Sequence, residues 1–269
     1  MADSPDSQPV DRPMTPLTAA LWTIALCFVE MTCVFVTDAA RPGAISDIVN
    51  LGACTVLGTS LVIFAMVRVH ARESSLRMTL AVTPVAPLHF LLSIAAGAGL
   101  YPVLSTIETR MVHRWPYSAE EMKAVEKLFT VPTLSSRLAL VIVAFVVIPV
   151  AREVFFRGIV FSEIQRTTSA RVAIIASAVL YTISGLTEDW RSVPTALVLG
   201  LAFARLRDRT GTVLAAVAAH IAYWSVAGIP IVAGRDPAED EVFSTRWIVG
   251  GAVIALLALV AVGAGRRDE

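Results

Sequence analysis

The sequence predicts an all-α fold, a polytopic integral membrane helical bundle of about eight transmembrane helices. Composition is the first reason: 56% of residues are apolar, 16% are charged, and the mean hydropathy is +0.70. A soluble domain usually carries about 25% charged residues. The second reason is distribution, because the charges gather between apolar runs of about 20 residues, the helix length that crosses a hydrocarbon core. The third is pattern. The runs lack the short alternating stretches that barrel strands require.

The runs fall at about 15–37, 45–67, 86–107, 134–158, 169–188, 192–206, 211–232 and 245–264. Met1–Pro13 is rich in Pro, Asp and Ser and reads as a disordered cytoplasmic tail, leaving 14–265 as one transmembrane domain. The first run follows no basic segment and reads as a retained anchor. The fourth is expected to stay helical to about Arg166, because Val154, Phe155, Ile159, Val160 and Ile164 prolong its apolar surface. The sixth is short, suiting a tilted or re-entrant segment.

Arg68, Arg72, Arg77, Arg166, Arg171, Arg205, Arg207, Arg209, Arg266 and Arg267 all fall on one side of an eight-span chain. The positive-inside rule puts that side, and both termini, in the cytoplasm of a multi-pass cell-membrane protein. Trp115, Trp190 and Trp247 then form an aromatic belt at the opposite interface. The connection from Glu108 to Thr133 has the mixed charges of an amphipathic interfacial helix. Net charge is zero, with 22 basic and 22 acidic residues, which argues against a nucleic-acid partner and leaves membrane lipid as the obligatory one. Cys27, Cys33 and Cys54 lie inside apolar runs without metal-site spacing and read as packing residues.

Ionisable residues inside spans are costly and face a cavity or a partner. Arg152, Glu153 and Arg157 crowd one such run, and Glu153 and Arg157, four apart, share a helix face. Glu30 is a second intramembrane carboxylate, suited to completing a site or to pairing with Arg152 or a backbone group. His220 lies in the seventh run. His70 and His113 read as loop residues and His89 as interfacial.

The run Arg152-Glu153-Val154-Phe155-Phe156-Arg157-Gly158 resembles the first motif of the CAAX-protease and bacteriocin-processing (CPBP) family of intramembrane proteases: two glutamates, three spacers, arginine and glycine. The first glutamate is Arg152 here. The family's second motif, an aromatic, three spacers and histidine, is matched by Tyr181 but ends in Gly185. Its third, histidine and, four residues later, asparagine, is matched by His220 and departs at Trp224. The resemblance spans about 134–232.

The resemblance implies peptide-bond cleavage in the membrane by metal-assisted water activation, with a divalent ion such as zinc in an active site. Water activation needs a base and, for a metal, about three protein ligands. Arginine cannot act as a base, glycine offers no ligand, and tryptophan replaces the asparagine that would hold an oxyanion. The expectation is therefore a degenerate member with lost or reduced peptidase activity and no resident cofactor. Glu153 and His220 are its catalytic remnant, and Arg152, Arg157 and Tyr181 line a cavity for a peptide, lipidated segment or partner protein. One alternative is a working metallo-endopeptidase with Glu153 as base, His220 orienting water and Glu30 completing the site. Another is a structural or transporter-like bundle.

Overall fold

The structure is a computed structural model that describes residues 13–71, 74–129, 133–186, 189–233 and 243–264. The tail read at 1–13 therefore lies, except for Pro13, outside the described residues, as do Arg72, Arg266 and Arg267. The described residues are mostly helical and contain no strand. Its helices are α1 (Pro16–Ala40), α2 (Ile48–His70), the single turn α3 (Leu76–Thr79), α4 (Pro87–Arg114), α5 (Ala119–Phe129), α6 (Leu134–Thr167), α7 (Ala170–Gly185), α8 (Val193–Thr210), α9 (Val213–Val232) and α10 (Thr245–Ala264).

All eight apolar runs are helices. Six of them, α1, α2, α4, α6, α9 and α10, are long and apolar enough to cross a membrane. α7 is apolar but has 16 residues, and α8 ends in Arg205, Arg207, Asp208 and Arg209. α8 is longer than expected because no breaker precedes Gly211, whose left-handed φ of 71° ends it. α4 likewise runs to Arg114, so Glu108–Arg114, read as loop, is helix until Pro116 prevents continuation. His113 is thus a last-turn helix residue, its Nδ1 2.8 Å from the Thr109 carbonyl. His70 is also no loop residue. It closes α2, is buried, and accepts the Trp22 indole N–H at 3.0 Å.

α4 is packed between α9 and α10. Two glycines make that possible. A Cβ on Gly97 would collide with the backbone of Ala219 in α9, and one on Gly99 would come within 2.7 Å of the Gly251 carbonyl in α10. Close backbone approach of this kind is how membrane helices gain packing energy when lipid offers no hydrophobic drive.

α6 is not a uniform α-helix. It widens to a π-helix at Val143–Val147 and again at Val154–Val160. Pro149 lies between them and cannot donate to the ladder, and the Ile148 N–H bonds five residues back, to Val143. In the second widening the Phe161 N–H bonds Phe156, which releases the Arg157 carbonyl. Arg207 of α8 takes up that carbonyl with its Nε at 3.1 Å.

The end of the bundle opposite the arginine-bearing loops is tied by a clasp. Ser118 and Glu121 cap α5 reciprocally: the Ser118 N–H donates to Glu121 at 2.7 Å and the Glu121 N–H to Ser118 Oγ at 3.2 Å. Arg191, 6% exposed, donates to the carbonyls of Trp115 (2.7 Å) and Pro116 (3.2 Å) and pairs with Asp189 (3.0 Å) and Glu121 (3.3 Å). Tyr117 donates its hydroxyl to Asp189 at 2.7 Å, and Trp115 meets Trp190 edge to face at 5.4 Å. Burial, then the bond to Asp189, pushes the Tyr117 phenol up. The Ser118 N–H, then the Arg191 guanidinium, holds the Glu121 carboxyl below its usual range. A depressed carboxyl stabilises the fold above its unfolded pKa and loses that contribution as pH falls through the folded value. Glu121→Gln should therefore lower the melting temperature at neutral pH, and the gap from the parent should close below about pH 4 in thermal scans of the detergent-solubilised protein.

Candidate functional site

The buried charges of α6 divide between two directions. Glu153 and Arg157, one helical turn apart, point into the centre of the bundle, and both are 0% exposed. Arg152 turns the other way, towards α1 and α2. Its Nη1 lies 3.0 Å from Glu30 Oε2, and Thr59 of α2 donates to the other Glu30 oxygen at 3.3 Å. Glu30 thus neutralises Arg152 and does not join His220. This is the pairing alternative weighed for Glu30, and it moves Arg152 out of the central cluster.

In the centre, the Glu153 carboxylate faces Arg157 Nε at 3.3 Å and His220 Nδ1 at 2.8 Å. Arg157 Nη2 donates to the Gly200 carbonyl of α8 at 3.0 Å. Its guanidinium carbon lies 4.5 Å from the centre of the Tyr181 ring, a cation–π contact in a dry site. Tyr181 approaches His220 edge-on at 6.1 Å, and Phe203 flanks the imidazole at 5.0 Å. Among the described residues Glu153 Oε2, Arg157 Nε and Arg157 Nη1 make no hydrogen bond, so ion pairing and the Tyr181 ring carry their charge.

Trp224 settles the state of the imidazole. Its Nε1–H lies 3.1 Å from His220 Nε2, and an indole nitrogen can only donate. Nε2 must therefore present a lone pair, the ring must be neutral, and the proton must sit on Nδ1, donated to Glu153. His220 and Trp224 lie four apart on α9, and Trp224 is fixed by parallel stacking on Phe145 of α6 at 5.4 Å and 8°. Both imidazole nitrogens are committed.

Residue 185 ends α7, one turn beyond Tyr181. A Cβ there would meet nothing within 4 Å, so Gly185 leaves open space where a side chain could stand. The structure therefore gathers Glu153, Arg157, Tyr181, His220 and Trp224 and separates Arg152. The sequence reading missed Phe145, Gly200, Phe203 and Arg207. It also treated Trp224 only as a lost asparagine, although the i,i+4 spacing to His220 signalled a shared helix face.

The donor set does not fit a divalent metal. Among the described residues no group of three or more His, Cys, Asp or Glu side chains converges, and His220 has no free nitrogen to offer.

Fold and site define a class: a multi-pass helical membrane protein with a buried Glu–Arg–His–Trp cluster. Residues 134–226, about a third of the chain, match the family model described as type II CAAX prenyl endopeptidase Rce1-like. Over that segment the chain is similar to the CAAX-protease (CPBP) family, in agreement with the resemblance of its motifs. Comparison with curated proteins and with solved structures finds no match.

The Glu30–Arg152 pair is open to a double-mutant cycle. Glu30→Gln and Arg152→Met should each cost about 3–5 kcal/mol, since each strands a buried charge. Together they should cost less than the sum, by about 1–3 kcal/mol. Denaturant unfolding in detergent measures both quantities, and strict additivity would contradict the pairing.

Proposed function

We propose that this chain is a non-hydrolytic member of its family, one that holds a membrane-embedded peptide, lipidated segment or partner protein without cleaving it. The observation that carries the proposal is the commitment of both His220 nitrogens, to a buried Glu153 and to a half-buried Trp224. A water to be activated needs a base with a free lone pair within reach. The Glu153 oxygens are 0% exposed and face Arg157 and the His220 ring, which leaves no solvent path to them.

The binding half of the proposal rests on the outer ion pair. Thr59, which donates to Glu30, also lines a cleft of about 310 Å³ between α2 and α6, walled by Val56, Val147, Val150 and Val154. A segment entering there meets an apolar wall with the Glu30–Arg152 pair behind it, and a terminal carboxylate would compete with Glu30 for Arg152. Arg157 and Tyr181 act behind this surface by holding Glu153. The reading puts the arginine-bearing loops and both termini on the cytoplasmic side of the cell membrane.

A second reading, a working endopeptidase, is favoured by one observation. The 2.8 Å bond between Glu153 and His220 is the contact that a carboxylate–imidazole dyad uses.

One experiment separates the two. Protein purified without chelator is offered a prenylated, membrane-anchored peptide, and cleavage, binding and bound zinc are measured together. The proposal predicts no cleavage, far less than one equivalent of zinc, and binding weakened about tenfold or more by Arg152→Ala, the loss of one charge-assisted contact. Cleavage abolished by Glu153→Ala and by His220→Ala would establish the endopeptidase. Neither cleavage nor binding would leave the cluster a structural device.

A further inference from the structure

A second groove, distinct from both clusters, lies on the outside of the α4–α9 pair. Its volume is about 540 Å³, and Phe90, Ile94 and Ala98 of α4 face Ala218, Ala222 and Ile229 of α9 across it. Ser225 is the one polar residue in the lining, and its hydroxyl is already donated to the Ile221 carbonyl at 2.7 Å. The groove therefore asks for an occupant with no hydrogen-bonding groups. From Leu214 to Ile229 it follows α9 for about 22 Å. One extended hydrocarbon chain suits a narrow apolar groove of that length.

The mouth of the groove says what the chain is attached to. α4 and α9 run in the same direction, and both begin at the end of the bundle that bears the arginines. The segment leading into α4 is joined there to the start of α9, Val213 N–H to the Ala81 carbonyl at 3.0 Å and Thr212 Oγ to the Thr83 carbonyl at 2.7 Å. Arg77 is exposed at this junction and commits one donor, Nε, to the Val82 carbonyl at 2.9 Å. Its guanidinium has four further N–H donors. The N-cap of α4 is Ala86, with no side-chain cap over the amides of Leu88 and His89. The start of α9 is closed by Thr212, whose Oγ accepts the Leu214 N–H at 3.2 Å. The uncapped first turn of α4 and the Arg77 guanidinium remain at this end of the groove, and each favours negative charge.

We propose that the α4–α9 groove is a binding site for an anionic phospholipid, with one acyl chain along Ala218 and Ala222 and the phosphate against Arg77 and the first turn of α4. The site is independent of whether the chain cleaves peptides.

The test compares delipidated protein in detergent after addition of dioleoyl phosphatidylglycerol or dioleoyl phosphatidylcholine. Phosphatidylglycerol should raise the melting temperature more than phosphatidylcholine, and glycerol phosphate without a chain should not raise it. Arg77→Gln should erase the difference between the two lipids, and Ala222→Phe, which fills the groove, should erase both shifts. Equal shifts in the parent, or a difference that survives Arg77→Gln, would overturn the proposal. Should Ala222→Phe not fold, a Phe90→Trp reporter in phosphatidylcholine vesicles decides. Brominated-chain phosphatidylglycerol should quench the reporter at about fivefold lower mole fraction than brominated phosphatidylcholine, the worth of one basic residue at a membrane surface. Equal quenching overturns the site.

Discussion

The indole of Trp224 has one polar atom and one thing to do with it. Because that nitrogen donates to His220 Nε2, the imidazole is held neutral with its proton on Nδ1, and that proton is given to Glu153. The rest of the centre follows. Glu153 remains an anion that must be balanced, and Arg157 supplies the charge from one turn away. Arg157 in turn needs acceptors and finds the Gly200 carbonyl and the Tyr181 ring. Four helices, α6, α7, α8 and α9, are joined through this chain of contacts, with Phe145 fixing the indole that begins it. In a bilayer, where helices gain little from hydrophobic exclusion, such a network contributes more to pairing specificity than to raw stability.

Placing three charges on one stretch of α6 would be prohibitive if they shared one environment. The structure avoids this by sending them apart. Arg152 meets Glu30 on the α1–α2 side, while Glu153 and Arg157 neutralise each other inside. The π-helical turn at Val154–Val160 contributes directly, because it frees the Arg157 backbone carbonyl, which Arg207 then engages. Arg207 also donates to Ser162 at 3.0 Å, so α8 is tied to α6 within this turn and just past it. Gly97 lets α4 press against the backbone at Ala219, immediately before His220, and sets the depth of the histidine in the bundle.

Much of this fold was legible because a bilayer imposes a coarse rule. Apolar runs of about 20 residues must be helices; a helix lies at each run, and six of these helices are long and apolar enough to cross a membrane. The i,i+4 pair of Glu153 and Arg157 was legible for the same geometric reason, as was the family motif that contains it. Boundaries set by a single breaker were less so: α4 reaches Arg114 and α8 reaches Thr210 because charged residues continue a helix into the interface without apolar periodicity to announce it. His70 was misread for that reason, a basic position at a helix end that is buried by Trp22 from another helix. The Glu30–Arg152 pair was one of three open options, since sequence gives charges but not the rotation of α6. The Trp224–His220 bond was hidden in plain spacing. Comparison with the family's asparagine showed only what tryptophan lacks, and what it donates required a rotamer fixed by Phe145, more than 70 positions away.

The central claim, that His220 is locked as a neutral ring by Trp224, is tested most directly by nitrogen-15 NMR of histidine-labelled protein at neutral pH, with the His220 signals assigned by their loss in His220→Gln. The account predicts one protonated nitrogen, Nδ1, and an Nε2 that accepts a hydrogen bond. A ring protonated on Nε2, or on both nitrogens, would contradict it.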